Sequence, residues 1–191
     1  MSKSISHHFS GTGGHKAFYG NDLSGFIDSR KTAEEVIKER TKDLDTNPHP
    51  ILHKKVLSKK QMSKIGRKID ERSATMKEYK NYKMTERLDK RRKKAVKDFF
   101  RAEKYRLEHG LPTTRKWTPE QERYLRAGER PRFNGKTIQG HHTYSVKMFP
   151  HLADRHEIIY PVTYAEHLYG WHGGNFRNSL PGKPINHIKS F

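Results

Sequence analysis

The sequence pattern changes near residue 130, and this change constrains the fold more than any other feature. Before it, apolar residues recur at helical spacing in several segments. After it, short segments rich in β-branched and aromatic residues alternate with glycine-containing turns. Helices followed by short strands are typical of the α+β class. We therefore predict an α+β chain, with a mostly helical N-terminal region at residues 31–128 and a small unit of strands and a helix at residues 129–191.

Four helices are predicted before residue 130. Thr32–Glu35 and Thr118–Gln121 have the spacing of a capping box, in which two side chains each bond the backbone N–H of the other residue. Ser58 is expected to cap a second helix, and a third is predicted from Thr85 to His109. The second helix would have its apolar positions at Met62, Ile65, Ile69 and Met76. The third would bury Leu88, Ala95, Val96, Phe99, Ala102 and Tyr105.

Residues 1–30 form a segment rich in glycine, serine and histidine, in which no helical or strand period persists. We predict that this segment is a leader or a strap laid over the later unit. No signal-peptide core follows Met1, and no apolar run in the chain approaches the length that spans a bilayer.

The chain carries a large excess of positive charge. Its 40 lysines and arginines against 21 acidic residues give a net charge of +19. Such an excess suits a phosphate backbone, an anionic membrane or an acidic partner protein. Aromatic residues are interspersed in the most basic region, residues 54–106, which favours nucleic acid over a solvated helix face. The candidate nucleic-acid-binding residues are Lys90, Arg91, Arg92, Lys93, Lys94 and Arg177.

Four histidines in two groups are candidates for metal binding and catalysis. The chain has no cysteine, so a metal would be held by histidine, a carboxylate or asparagine. His141 and His142 follow Gly140 where a strand is predicted. His167 and His172 lie on a helix predicted from Tyr164, after a second strand predicted at residues 156–162.

These histidines carry a family resemblance. Gly140-His141-His142, followed by Glu166-His167 and His172-Gly173-Gly174-Asn175, resembles the GHH-signature toxins of the HNH/endonuclease VII superfamily. These are the nuclease domains of bacterial polymorphic toxins. The order of strand, loop, strand and helix is similar to their ββα-metal unit. The resemblance covers roughly residues 130–180, and it implies that residues 129–191 form an HNH-like ββα-metal nuclease.

The resemblance implies a role for each histidine. His142 is expected to be the general base, a role that suits imidazole because its pKa lies near neutral pH. His141, His167 and His172 are expected to bind one divalent ion, which would be Mg²⁺, Mn²⁺, Ni²⁺ or Zn²⁺. The implied catalytic set is His141, His142 and His167. The supporting candidates are Asn175, His156 and Glu166.

Two spacings conflict with regular geometry. Adjacent strand residues point to opposite faces, so His141 and His142 can serve one site only at a bulge or a strand end, which Gly140 is suited to provide. Colicin-type members of the superfamily have their helical histidines four residues apart, whereas His167 and His172 are five apart. Five residues turn an α-helix by about 500°, leaving the side chains roughly 140° apart. Either the helix ends near Gly170, or only one of the two binds metal.

The function implied by the resemblance is that of an antibacterial effector. It would be a metal-dependent endonuclease that cuts DNA with little sequence specificity. It would be secreted, would act in the cytoplasm of the target cell and would be neutralised by an acidic immunity protein. An RNase or a phage-type HNH nuclease would use the same chemistry. A non-catalytic nucleic-acid-binding protein with a structural metal is the third alternative, although structural zinc sites most often include cysteine.

Overall fold

The computed structural model describes residues 31–50 and 56–190 and confirms the α+β class. The leader predicted for residues 1–30 lies outside the described residues. Four α-helices come first: α1 (Ala33–Arg40), α2 (Lys59–Asp70), α3 (Met76–Glu108) and α4 (Pro119–Arg126). Four short strands follow: β1 (Arg132–Phe133), β2 (Lys136–Thr137), β3 (Gln139–His142) and β4 (Ile159–Val162). A π-helix, Glu166–Trp171, comes after β4.

Each of the four α-helices begins with a capping box. The predicted starts of α1, α2 and α4 are confirmed. The predicted start of α3 at Thr85 is wrong, because the helix is capped by Thr75 and begins at Met76. The prediction that Met76 continues the apolar side of the second helix is also wrong. Arg72 adopts a positive φ of 55° between the two helices, and Met76 is 67% exposed.

One core joins the helices to the strands. The predicted buried row of α3 is confirmed except at Tyr105, which is only partly buried. Val96 and Phe99 from this row pack with Ile37 of α1 and Leu125 of α4. The same cluster contains residues from the C-terminal part of the chain, namely Ile138, Ile158, Ile159, Val162 and Trp171. Buried residues from both sides of residue 128 therefore share one core, and the boundary predicted there stays a prediction.

Two antiparallel pairs make up the strands. β1 and β2 form a hairpin whose turn residues, Asn134 and Gly135, both have positive φ (48° and 72°), as the predicted Asn-Gly turn requires. β3 pairs with β4 so that His141 is opposite Tyr160 and His142 is opposite Ile159. The segment between β3 and β4 contains a short 3-10 helix, Pro150–Leu152. Within the described ranges, no helix is both long and apolar enough to cross a membrane.

At Gly140, β3 packs closely against α3. A Cβ atom at this position would lie 2.8 Å from Val96 Cγ1 and 3.0 Å from Ile159 Cγ2. Both neighbours are buried in a close-packed core, so the clash cannot be relieved by a simple rotation. We expect Gly140→Ala to lower the free energy of unfolding by about 1–3 kcal/mol in urea denaturation.

Gly66→Ala is the matched control. Gly66 lies within α2, where an added Cβ would come no closer than 3.7 Å to Tyr82 Cε2. Alanine is favoured over glycine inside a helix, so this variant should be at least as stable as the parent protein. Equal stability of the two alanine variants would contradict the close packing at Gly140.

Candidate metal centre and active site

Three histidines converge beside the β3–β4 pair. His141, His167 and His172 each place a ring nitrogen within 4.8 Å of the others. The ring centroids are 4.8 Å apart for His141 and His167, and 4.9 Å apart for His167 and His172. Three imidazole ligands at this spacing fit one metal ion and leave coordination positions open to water or a substrate, as catalytic sites require.

A π-helix resolves the five-residue spacing of the helical histidines. The backbone N–H of His172 donates to the carbonyl of His167 at 3.2 Å, which is an i→i+5 hydrogen bond. In this form, residues five apart lie one turn apart, so both imidazoles come to the same side. The helix ends at Trp171, one residue after Gly170, close to the end that one alternative supposed. The expected misalignment of the two ligands is therefore absent from this helix.

The C-terminal segment holds the end of the π-helix. The backbone N–H groups of Ile185 and Asn186 both donate to the Gly170 carbonyl at 2.9 Å. The side chain of Asn186 also donates to the Tyr169 carbonyl at 2.8 Å. Residues beyond the helix thus satisfy carbonyls that the change of hydrogen-bond pattern leaves without a helical partner.

Hydrogen bonds fix the rings of both helical ligands. His167 Nδ1 donates to Gln139 Oε1 at 2.6 Å, and His172 Nδ1 donates to the Asn178 carbonyl at 2.5 Å. Oxygen atoms of these kinds only accept, so each Nδ1 carries the proton and each Nε2 is free to bind metal. Neither partner was predicted. Gln139 could have been found, because it lies two residues before His141 and so shares its face of β3.

Burial keeps His141 and His167 in the neutral form. Burial, together with the neighbouring His167 and His172, holds the pKa of His141 well below its ordinary value. Burial and the nearby His172 lower the pKa of His167 to about 4. The ring of Trp171 covers His141, with their centroids 4.6 Å apart. Metal binding requires neutral imidazole, so both rings are ready to bind near neutral pH.

His142 is the last residue of β3, so the strand end predicted for the histidine pair is present. Its Nε2 donates to the Ala153 carbonyl at 3.2 Å. Because that carbonyl can only accept, Nε2 carries the proton and Nδ1 is left as the basic atom. Burial, with Arg92 nearby, lowers the pKa of His142 to about 4. The ring is therefore neutral near pH 7 and can accept a proton.

Arg91 is tied to the segment that orients His142. Its guanidinium donates to the His151 carbonyl at 3.1 Å and to Asp154 Oδ1 at 2.7 Å. Ala153, whose carbonyl holds His142, lies between these two residues. Arg91 is therefore paired within the protein, and the prediction that it binds nucleic acid stays a prediction.

The other residues of the basic run remain at the surface. Lys90, Lys93 and Lys94 make ion pairs with Glu86, Asp89 and Asp98, one turn away on α3. Exposed pairs of this kind are weak, so these ammonium groups can turn to a phosphate. Arg92 is exposed between the buried Leu88 and Val96, one helical turn away on each side. It lies close enough to His141 and His142 for its charge to lower the pKa of both rings.

The three predicted supporting residues have partners of their own, and their supporting role stays a prediction. Glu166 is buried, where it accepts two bonds from Arg115, at 3.0 and 3.1 Å, and one from the N–H of Thr163 at 2.8 Å. It therefore fixes the start of the π-helix. His156 lies beside Glu157, with its Nδ1 3.3 Å from the carboxylate. Asn175 is exposed in a turn, where its Oδ1 accepts from the backbone N–H of Arg177 at 3.0 Å.

Comparison with known families identifies the segment that carries the histidine pair. Residues 84–163 match the family described as GHH signature containing HNH/Endo VII superfamily nuclease toxin. This segment belongs to that family. The resemblance inferred from Gly140-His141-His142 is therefore confirmed, and the GHH segment is that of a nuclease. A search of the curated proteins finds no match.

The extent of the match shows which parts of the site belong to the GHH segment. The match begins in α3 and ends at Thr163, so it includes Arg91, Arg92 and both adjacent histidines. The π-helix with His167 and His172 lies beyond it. The case for these two as ligands therefore rests on their convergence with His141 in the structure.

Proposed function

We propose that this chain is a metal-dependent endonuclease that hydrolyses DNA with little sequence specificity and serves as an antibacterial effector. The observation that carries the proposal is the convergence of His141, His167 and His172 beside an oriented His142. The nuclease family of residues 84–163 supports the same reaction class.

The site residues divide the work of hydrolysis. A divalent ion on the three ligands would act as a Lewis acid on the scissile phosphate. His142 Nδ1 takes the proton of the attacking water, while its Nε2–H stays on the Ala153 carbonyl. That carbonyl also stabilises the positive ring that results. Arg92, exposed and near His142, binds a phosphate oxygen and opposes the charge that develops there.

The ligand set bears on which metal binds. All three ligands offer imidazole nitrogen, which suits Zn²⁺ or Ni²⁺, whereas Mg²⁺ and Mn²⁺ are better suited to oxygen ligands. Gln139 and the Asn178 carbonyl orient two of the rings, as the outer partners of metal-binding histidines commonly do. We therefore favour Zn²⁺ or Ni²⁺ among the four predicted ions.

The partners follow from charge and family. Lysines on α3 offer contacts to phosphates, which give affinity and orientation but no sequence choice. An acidic immunity protein would complement the net charge of +19 and would associate rapidly with it. Secretion and action in the cytoplasm of a target cell are proposed from the toxin family alone.

The experiment that tests the proposal is incubation of the purified protein with supercoiled plasmid and, separately, with total RNA. Each is run with EDTA, Mg²⁺, Mn²⁺, Ni²⁺ or Zn²⁺. We expect plasmid nicking that needs an ion and is lost in His142→Ala but kept in His109→Ala, which changes an exposed histidine outside the site. Cleavage of RNA alone would show that the substrate is RNA and not DNA, and would leave the proposed mechanism unchanged. Retention of both nucleic acids in a gel shift, without cleavage under any ion, would refute the nuclease proposal.

Arg91→Ala is expected to lower kcat more than it raises KM. The ion pair with Asp154 is about two-fifths exposed on each side, so its loss should cost less than about 1 kcal/mol of stability. Small displacements of a catalytic group can nevertheless cost up to about 100-fold in rate, and the Ala153 carbonyl would lose its anchor. Initial rates at several substrate concentrations separate the two effects.

Lys93→Ala is the control for Arg91→Ala, because Lys93 pairs only within α3 and has a highly exposed side chain. It should raise KM slightly, in a salt-dependent way, and leave kcat unchanged. A salt-dependent rise in KM with unchanged kcat in Arg91→Ala would instead indicate that Arg91 contacts a phosphate.

A further inference from the structure

Two exposed aromatic rings lie beside the histidine cluster. Tyr164 and Phe176 are each 50% exposed, and their ring centroids are 6.3 Å apart. We call this pair the aromatic platform. The Phe176 ring is 5.3 Å from that of His167 and 5.2 Å from that of His172. The platform therefore begins at two of the candidate metal ligands and extends outward from them.

Local structure presents these rings to solvent. Gly173 and Gly174 adopt positive φ (56° and 87°) and turn the chain sharply after the π-helix. The Asn175 side chain then bonds the backbone of Arg177, which fixes the turn around Phe176. Tyr164 is the first residue of the helix that Thr163 and Glu166 cap together.

Positive charge flanks the platform. Lys136 of β2 places its Nζ 6.0 Å from the Tyr164 ring centroid. Arg177, also exposed, follows Phe176 directly. Aromatic faces interspersed with cations are the usual surface for unpaired nucleotides, because every base has a stacking face and every linkage a negative charge. This charge pattern favours nucleic acid over an apolar segment of another protein.

We propose that the aromatic platform stacks on an unpaired base next to the scissile phosphate, so that the preferred substrate is single-stranded nucleic acid. The proposal rests on the nuclease function above. A phosphate held at the three histidines places the adjoining nucleotide at the Phe176 ring. In an intact duplex each base is covered by its neighbours and offers no free face. Supercoiled DNA, which opens locally, should accordingly be cut faster than the same DNA made linear.

The test is a binding cycle that needs no cleavage. The His142→Ala protein, with its metal, is titrated with a fluorescent oligothymidylate and with an abasic oligonucleotide of the same length. The two ligands carry equal charge and differ only in their bases. Stacking is worth about 1–3 kcal/mol per base, so Tyr164→Ala should weaken oligothymidylate binding by about 5- to 100-fold. Binding of the abasic strand should be unchanged.

Two further variants serve as controls. Tyr164→Phe keeps the ring and should retain the parent affinity for both ligands. Lys136→Ala should weaken both ligands equally, because it removes only charge. Phe176→Ala is measured with its metal content, since that ring touches two ligand histidines.

The outcomes separate the two proposals. Equal loss of affinity for both ligands in Tyr164→Ala would overturn stacking, as would a duplex that binds as tightly as the single strand. Base-dependent binding without cleavage under any ion would refute the nuclease and leave the platform standing. Cleavage without any base dependence would refute the platform alone, and a partner protein would then be the occupant to seek.

Discussion

His142→Ala is expected to lower the rate of phosphodiester cleavage by about 10²–10⁴-fold, which is the usual contribution of a general base. His142 has its Nε2 on the Ala153 carbonyl and its Nδ1 free, so no other atom of this ring can take the proton of the attacking water. The rate should be measured under single-turnover conditions with excess protein, so that product release does not limit it.

The same variant should still fold and bind metal. His142 is not a member of the ligand cluster, so the metal content of His142→Ala should equal that of the parent protein. A large loss of bound metal together with activity would show that His142 is a ligand. Activity close to that of the parent would assign the base to another residue.

His167→Ala should lower metal affinity more than Gln139→Ala does. Losing one of three ligands should cost more than losing an outer partner, for which about 10- to 100-fold is typical. Gln139→Ala removes such an outer partner, because Gln139 only orients His167 through Nδ1. Titration calorimetry with Zn²⁺ or Ni²⁺ should therefore rank the parent above Gln139→Ala, and Gln139→Ala above His167→Ala.

The ranking distinguishes a built metal site from a chance cluster. Nonspecific binding of the ion to surface histidines would give all three proteins the same affinity. If Gln139→Ala were as severe as His167→Ala, Gln139 would have to bind the ion directly. Cleavage should follow the same order at limiting metal, since the ion is needed for the reaction.

Local signals in the sequence predicted much of the fold. The boxes at Thr32, Ser58 and Thr118 are contiguous in sequence and act within one helical turn, so they could be recognised without the structure. The box at Thr75 has the same form but was missed. Met76 follows Ile69 at helical spacing and suggested a continuous helix, whereas the positive φ of Arg72 separates the two.

The arrangement of the site depends on contacts that sequence spacing does not reveal. The sequence predicted which histidines bind the metal, but not how His167 and His172, five residues apart, could bind the same ion. The π-helix that aligns them is held by N–H groups of Ile185 and Asn186, well beyond the helix. The orientation of His142 depends likewise on a backbone carbonyl, at Ala153, to which any residue type contributes equally.

The basic run at residues 90–94 shows a further reason why the site could not be predicted fully from the sequence. Charge density predicted that residues 90–94 share one role, yet they point in different directions around α3. Arg91 turns toward Asp154, whereas the charge of Arg92 acts on the pKa of His142. Which arginine faces which surface depends on how α3 packs on the strands, and at Gly140 this packing joins distant parts of the sequence.

In the proposed mechanism, cleavage depends on one ion bound by three histidines. The most direct measurement is a titration of the metal-free protein with Zn²⁺, Ni²⁺ or Mn²⁺, with cleavage of a labelled single-stranded oligonucleotide as the readout. We predict no cleavage without the ion and a rise that reaches its plateau at one equivalent per chain. Full cleavage in EDTA, or no cleavage at any ratio of any ion, would contradict this metal-dependent mechanism.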